Sequence, residues 1–134
     1  MIVGLGVDVV TVERVARALS HHGTRFVERC FAPGELSRPD EAGEAAAVFA
    51  LKEAALKALG TGWSSGVAFR HVRVVGAGGG RPSLELGGPA ARLAAALGVV
   101  RCHATTSRAG PLVVAVVVLD SEAWSTGPAS TGRA

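Results

Sequence analysis

Phe49-Ala50-Leu51-Lys52-Glu53-Ala54-Ala55-Leu56-Lys57-Ala58-Leu59-Gly60 holds the only two lysines of a chain that has twelve arginines. From Ala45 onward the stretch is built of strong helix formers, and it closes on Gly60, a residue that accepts the positive φ at a helix end. The pattern predicts a helix over about 43–59. Glu53 and Lys57 stand four apart, one turn above the other on one face that also carries Ala46 and Ala50. By spacing alone the pair reads in two ways: as a solvated contact on a helix surface, or as part of a half-buried site for a polyanion.

Upstream of this helix, Ile2-Val3-Gly4-Leu5-Gly6-Val7 reads as a buried strand that ends on Asp8. Thr11 is placed to cap a helix over 12–22, with Val12, Val15, Ala16 and Leu19 as its apolar stripe. Residues 25–38 suggest a helical turn and a loop anchored by Phe26 and Phe31, with another short helix starting at Pro33-Gly34-Glu35-Leu36. Downstream, a glycine-rich loop over 60–66 leads to a strand over 69–75. A turn over 76–82 and a strand over 83–86 complete a hairpin. A helix over 89–97 and two strands over 99–107 and 112–119 follow. The last, Leu112-Val113-Val114-Ala115-Val116-Val117-Val118-Leu119, is apolar on both faces and is expected at the centre. The order implies an α+β fold with a mainly antiparallel sheet packed against helices on one side. Residues 1–122 make one domain, and the Ser/Thr/Gly/Pro/Ala-rich 123–134 reads as a disordered tail.

At 134 residues and 49% hydrophobic, the chain supports a single core. No apolar run reaches the length of a membrane span, and the opening lacks the basic start of a signal peptide. Cys30 and Cys102 have no metal-ligand spacing and read as two reduced thiols. A net charge of +3 favours acidic or phosphorylated partners. Nucleic acid is disfavoured, because the arginines are scattered and there is no tyrosine, with four Phe and two Trp, to interleave them.

Asp8 reads either as a cap on the turn into the first helix or, with Glu53, as one of two carboxylates able to hold Mg2+. Lys57 would then face the same phosphates as a point charge. His103 lies on a strand with Thr105, Thr106 and Ser107 close behind; it reads as a structural or a functional histidine. His21 and His22 read as solvated at a helix end, and His71 as a strand surface residue. Gly60-Thr61-Gly62 reads as a plain helix cap or as backbone N–H donors to an anion.

Taken in order, these segments resemble a known family. Gly4-Leu5-Gly6-Val7-Asp8-Val9-Val10 with Glu13-Arg14 resembles the opening of the holo-acyl-carrier-protein synthases, the small class of 4′-phosphopantetheinyl transferases. Arg29-Cys30-Phe31-Ala32-Pro33-Gly34-Glu35-Leu36 is similar to their segment between the first two helices. The stretch from Phe49 to Gly62 is similar to their signature helix. Gly80-Arg81-Pro82-Ser83-Leu84 resembles their Gly-basic-Pro hairpin turn, and His103 with Thr105 and Ser107 their late strand. The match runs over residues 2–119.

The resemblance implies a 4′-phosphopantetheinyl transferase-like fold and a cytoplasmic homotrimer with the site between subunits. It implies that the phosphopantetheine arm of coenzyme A is moved onto a serine of an apo acyl carrier protein of fatty-acid or polyketide biosynthesis, releasing adenosine 3′,5′-bisphosphate. Asp8 and Glu53 would hold Mg2+ against the pyrophosphate, and Lys57 would balance charge on the phosphate under attack. Glu53 or a metal-bound water would take the serine proton. Lys57, Gly60, Thr61, Gly62, His103 and Thr105 would bind coenzyme A, with His103 near the adenosine 3′-phosphate. Arg14 and Arg17 would face the acidic helix of the carrier. Two positions depart from the family: Val48 stands where Arg is common, and Arg108 where an acid or His is usual. The competing class is a silent or repurposed relative that binds carrier protein or coenzyme A without transfer.

Overall fold

The computed structural model describes residues 1–61 and 66–122. Strand β1 (Ile2–Thr11) leads into helix α1 (Val12–His22), whose N-cap Thr11 accepts the Arg14 N–H on Oγ1 at 3.1 Å. Helices α2 (Thr24–Cys30) and α3 (Ala42–Ala58) follow, then a 3-10 turn (Phe69–His71), strands β2 (Val72–Val75) and β3 (Ser83–Leu86), and helix α4 (Gly88–Ala96). Strands β4 (Val99–Ala109) and β5 (Leu112–Ser121) complete the described chain. One sheet has the order β1-β5-β4 with both pairs antiparallel; β2 and β3 form a separate antiparallel hairpin. The α+β class and the central place of the last strand are as the sequence implies. Cys30 and Cys102 are unpaired. Among the described residues no helix is long and apolar enough to cross a membrane.

Helix α3 is the structural centre. It packs on β1, β5, α1 and β2, and Ala45, Ala46, Val48, Ala50, Leu51, Ala54 and Ala55 along it are all buried. Small residues let its backbone come very close to the sheet. A Cβ built on Gly6 would lie 1.8 Å from the Ala54 carbonyl oxygen, and one on Gly4 would lie 2.2 Å from that of Ala58. Only glycine leaves room there.

Three local expectations are corrected. The first strand does not end on Asp8: its ladder with β5 continues through Val9, Val10 and Thr11 opposite Val114, Val113 and Leu112, so Asp8 stands in mid-strand. No helix forms at Pro33-Gly34-Glu35-Leu36. Gly34 takes φ 73° and the Glu35 N–H donates to the Ala32 carbonyl at 3.1 Å, closing a turn of the Pro-Gly kind. The strand expected over 69–75 is strand only from Val72. His71 sits in the preceding 3-10 turn, where its Nδ1 accepts the Ala68 N–H at 2.9 Å, so it is not a strand surface residue.

Candidate active site

Side-chain parity along β1 decides what Asp8 can meet. Gly4, Gly6, Asp8 and Val10 share the face turned to α3, while Leu5, Val7 and Val9 are exposed on the other. The register pairs Asp8 with Ala115, which is fully buried on the inward face. Asp8 is therefore not a cap for α1, a task that Thr11 performs. The close approach at Gly4 and Gly6 brings the second half of α3 onto this part of the strand.

Lys57 reaches across from α3. Its Nζ donates to Asp8 Oδ1 at 3.0 Å and to the Val7 carbonyl at 2.9 Å. The surface pair with Glu53 that spacing allows is not made: among the described residues the Glu53 side chain has no hydrogen bond and no ion pair. Glu53 is half-buried, and burial, followed by the neighbouring Asp8 carboxylate, raises its carboxyl above the ordinary range; Lys57 and Arg14 oppose the rise. One carboxylate bonded to an ammonium thus comes from β1 and α3, with a second acid on the same face of α3 that feels the charge of the first. Hard oxygen donors of this kind suit Mg2+, which typically takes one or two protein carboxylates. No group of three His, Cys, Asp or Glu that could hold a metal occurs among the described residues, so a site here has only two protein acids to offer.

The charge of Arg14, at the start of α1, opposes the rise of the Glu53 carboxyl, whereas Arg17 is tied to Glu13 by a 2.6 Å ion pair on the exposed helix surface. Of the two readings of Gly60-Thr61-Gly62, the helix cap is the one its first two members take. The Gly60 N–H donates to the Lys57 carbonyl at 3.0 Å, and the Thr61 N–H and hydroxyl both donate to the Leu56 carbonyl at 3.1 and 2.8 Å. These donors finish α3 rather than face a ligand. Gly62 lies outside the described residues.

His103 and Thr105 are not brought to the acids. They pair in register with Val118 and Val116, which in turn pair with Leu5 and Val7, so all share the outward face. There they line a cavity of about 620 Å3 with Gly80, Arg81 and Pro82 of the β2–β3 turn. Arg81, to which the sequence assigned no role, thus stands beside His103; the signal for it was its place in the hairpin turn. One chain thus carries the acids and the His103 cavity on opposite faces of one sheet. Of the two departures, Val48 is fully buried in the core, and the Arg108 guanidinium lies against Gly43 at the start of α3, 2.4 Å from where a Cβ would be.

Comparison with known proteins closes on one family. A family model described as the 4′-phosphopantetheinyl transferase superfamily matches residues 4–117. The holo-[acyl-carrier-protein] synthase of Halorhodospira halophila is 48% identical over 123 residues, covering 89% of this chain and 98% of that protein. The crystal structure of holo-[acyl-carrier-protein] synthase from Neisseria meningitidis is similar with TM-score 0.77 and 30% identity over 90% of this chain and all of that one. The Helicobacter pylori synthase in complex with coenzyme A is similar with TM-score 0.76 and 26% identity over 87% of this chain and 99% of that one.

Proposed function

The chain belongs to the 4′-phosphopantetheinyl transferase superfamily, and from that premise we propose that it transfers the 4′-phosphopantetheine group of coenzyme A to a serine of an apo acyl carrier protein. The observation that carries this reading is the meeting of Asp8, Glu53 and Lys57 where β1 and α3 touch. Phosphoryl transfer asks for positioning and charge neutralisation more than for covalent chemistry from the protein. Asp8 and Glu53 would hold Mg2+, which when bound supplies positive charge against the pyrophosphate. Lys57 offers an ammonium on the same side for the phosphate under attack. Glu53, or a water held by the metal, would accept the proton of the serine hydroxyl. Arg14, whose charge reaches Glu53, would suit an acidic carrier surface that must bring its serine to this point.

The His103 cavity, read as the second half of one shared site, supports assembly. Leu5, Val7 and Val9 are exposed on the outward face beside Val114, Val116 and Val118, an apolar surface that a second copy would cover. A copy so placed puts the His103, Thr105 and Arg81 cavity of one chain within reach of the acids of another, and a trimer closes the arrangement. The cationic cavity wall suits the nucleotide phosphates of coenzyme A.

The test is direct. Purified chain, coenzyme A, Mg2+ and apo carrier proteins of fatty-acid and polyketide type are incubated, and intact carrier mass is measured. A gain of one phosphopantetheine on at least one carrier, dependent on Mg2+, is expected. Unmodified carriers throughout would leave only a binding role.

A further inference from the structure

The two lysines of the chain hold unlike positions. Lys52 is fully buried, its ammonium committed to the Cys30 carbonyl, the Glu35 carboxylate and the Phe69 carbonyl. Lys57 is half-exposed and bonds to Asp8 and to the Val7 carbonyl on the neighbouring strand. Glu53, on the same helix face as Lys57, is left without a counter-charge of its own among the described residues. The ammonium therefore serves one acid and not the pair.

An ammonium and a divalent cation compete for the same carboxylate oxygens. A divalent cation shared by both acids cancels the charge that draws Lys57 to Asp8. A phosphate, with more charge and more acceptor oxygens than a cation-bound carboxylate, is then the stronger partner for the ammonium. We propose that Lys57 is a partner-exchange residue: it neutralises Asp8 until a divalent cation engages Asp8 and Glu53 together, and then turns to the phosphate that arrives with that cation. The proposal rests on the transferase reading of the acid pair and adds to it a coupling. Lys57 disfavours the cation alone and favours the cation together with coenzyme A, so each ligand raises the affinity of the other by the same factor.

Mn2+ titrated by electron paramagnetic resonance, without coenzyme A, reads the first half of this exchange. Lys57→Met is expected to bind Mn2+ about fivefold more tightly than the unsubstituted chain, the size of one released ion pair. Arg14→Met, which removes a cation acting on Glu53 but not bonded to Asp8, is expected to change Mn2+ affinity less than about twofold, as a screened field effect. Equal tightening in both variants, or none in Lys57→Met, overturns the exchange. The unsubstituted chain gives a second reading, since 13C-lysine labelling yields only two sets of side-chain signals. Saturating Mg2+ with coenzyme A is expected to move the Lys57 signals and leave those of buried Lys52 in place; unmoved Lys57 signals refute the proposal. Transfer without tighter Mn2+ binding in Lys57→Met would sink the exchange alone. Tighter binding without transfer to any carrier would sink the transferase reading and leave the acids a cation site.

Discussion

Glu53 is where stability and chemistry pull apart. Its carboxyl is raised by burial and by Asp8, so the fold favours the protonated form. That contribution is full below the carboxylate's unfolded range and is lost as pH rises through the folded value. At neutral pH the ionised Glu53 therefore weakens the fold. Glu53→Gln is expected to raise Tm by about 3 °C at pH 7 in the absence of divalent cations. Below about pH 4, where both side chains are neutral, the difference should vanish. Calorimetry at the two pH values checks this, and the same variant should leave apo carrier protein unmodified. A lower Tm at pH 7 would mean that Glu53 has a stabilising partner.

The contact between β1 and α3 is what brings Asp8 to Lys57. Gly6→Ala would drive a methyl into the Ala54 carbonyl, and neither backbone can yield without moving Asp8 away from Lys57. A loss of about 3 kcal/mol in urea unfolding is expected. Gly79→Ala, in the hairpin turn with open space around it, should stay within about 0.5 kcal/mol. A second device lies beneath the same helix. The buried Glu35 carboxylate accepts the Lys52 ammonium and the N–H groups of Ala32 and Val74, tying the loop after α2, α3 and β2 together. Lys52→Met leaves that carboxylate buried without its counter-charge, and a cost of about 3–5 kcal/mol is expected. Wild-type unfolding midpoints would show that water or another cation reaches Glu35.

For the whole molecule the question is whether the two half-sites are joined by a second copy. Leu5→Glu puts a carboxylate on the exposed apolar face without touching the core. A folded species of lower sedimentation coefficient, inactive in transfer, is expected. Mixing also discriminates. Glu53→Gln and His103→Ala, each inactive alone, should regain about a quarter of wild-type activity when unfolded together and reassembled at equal amounts, because one interface in four then pairs an intact acid half with an intact His103 half. No recovery would place both halves of the site within one copy.

Much of this architecture was legible along the chain. The unbroken apolar run of β5 predicts a central strand, the alanine run a helix, and Thr11 its neighbour's cap, because each depends on residues within a few positions of one another. Asp8, Glu53 and Lys57 stand out by residue type and spacing, which leave a bland and a functional reading open for each; the resemblance to a family's motifs chooses between them. That Lys57 takes Asp8 rather than Glu53, that Gly6 exists to admit the Ala54 carbonyl, and that His103 lies behind the sheet were decided by packing. Sequence spacing governs the twist and face of a single element. Which faces then meet depends on contacts between residues more than a hundred positions apart, such as Asp8 and Ala115, where backbone clearance and strand parity, rather than local preference, set the outcome.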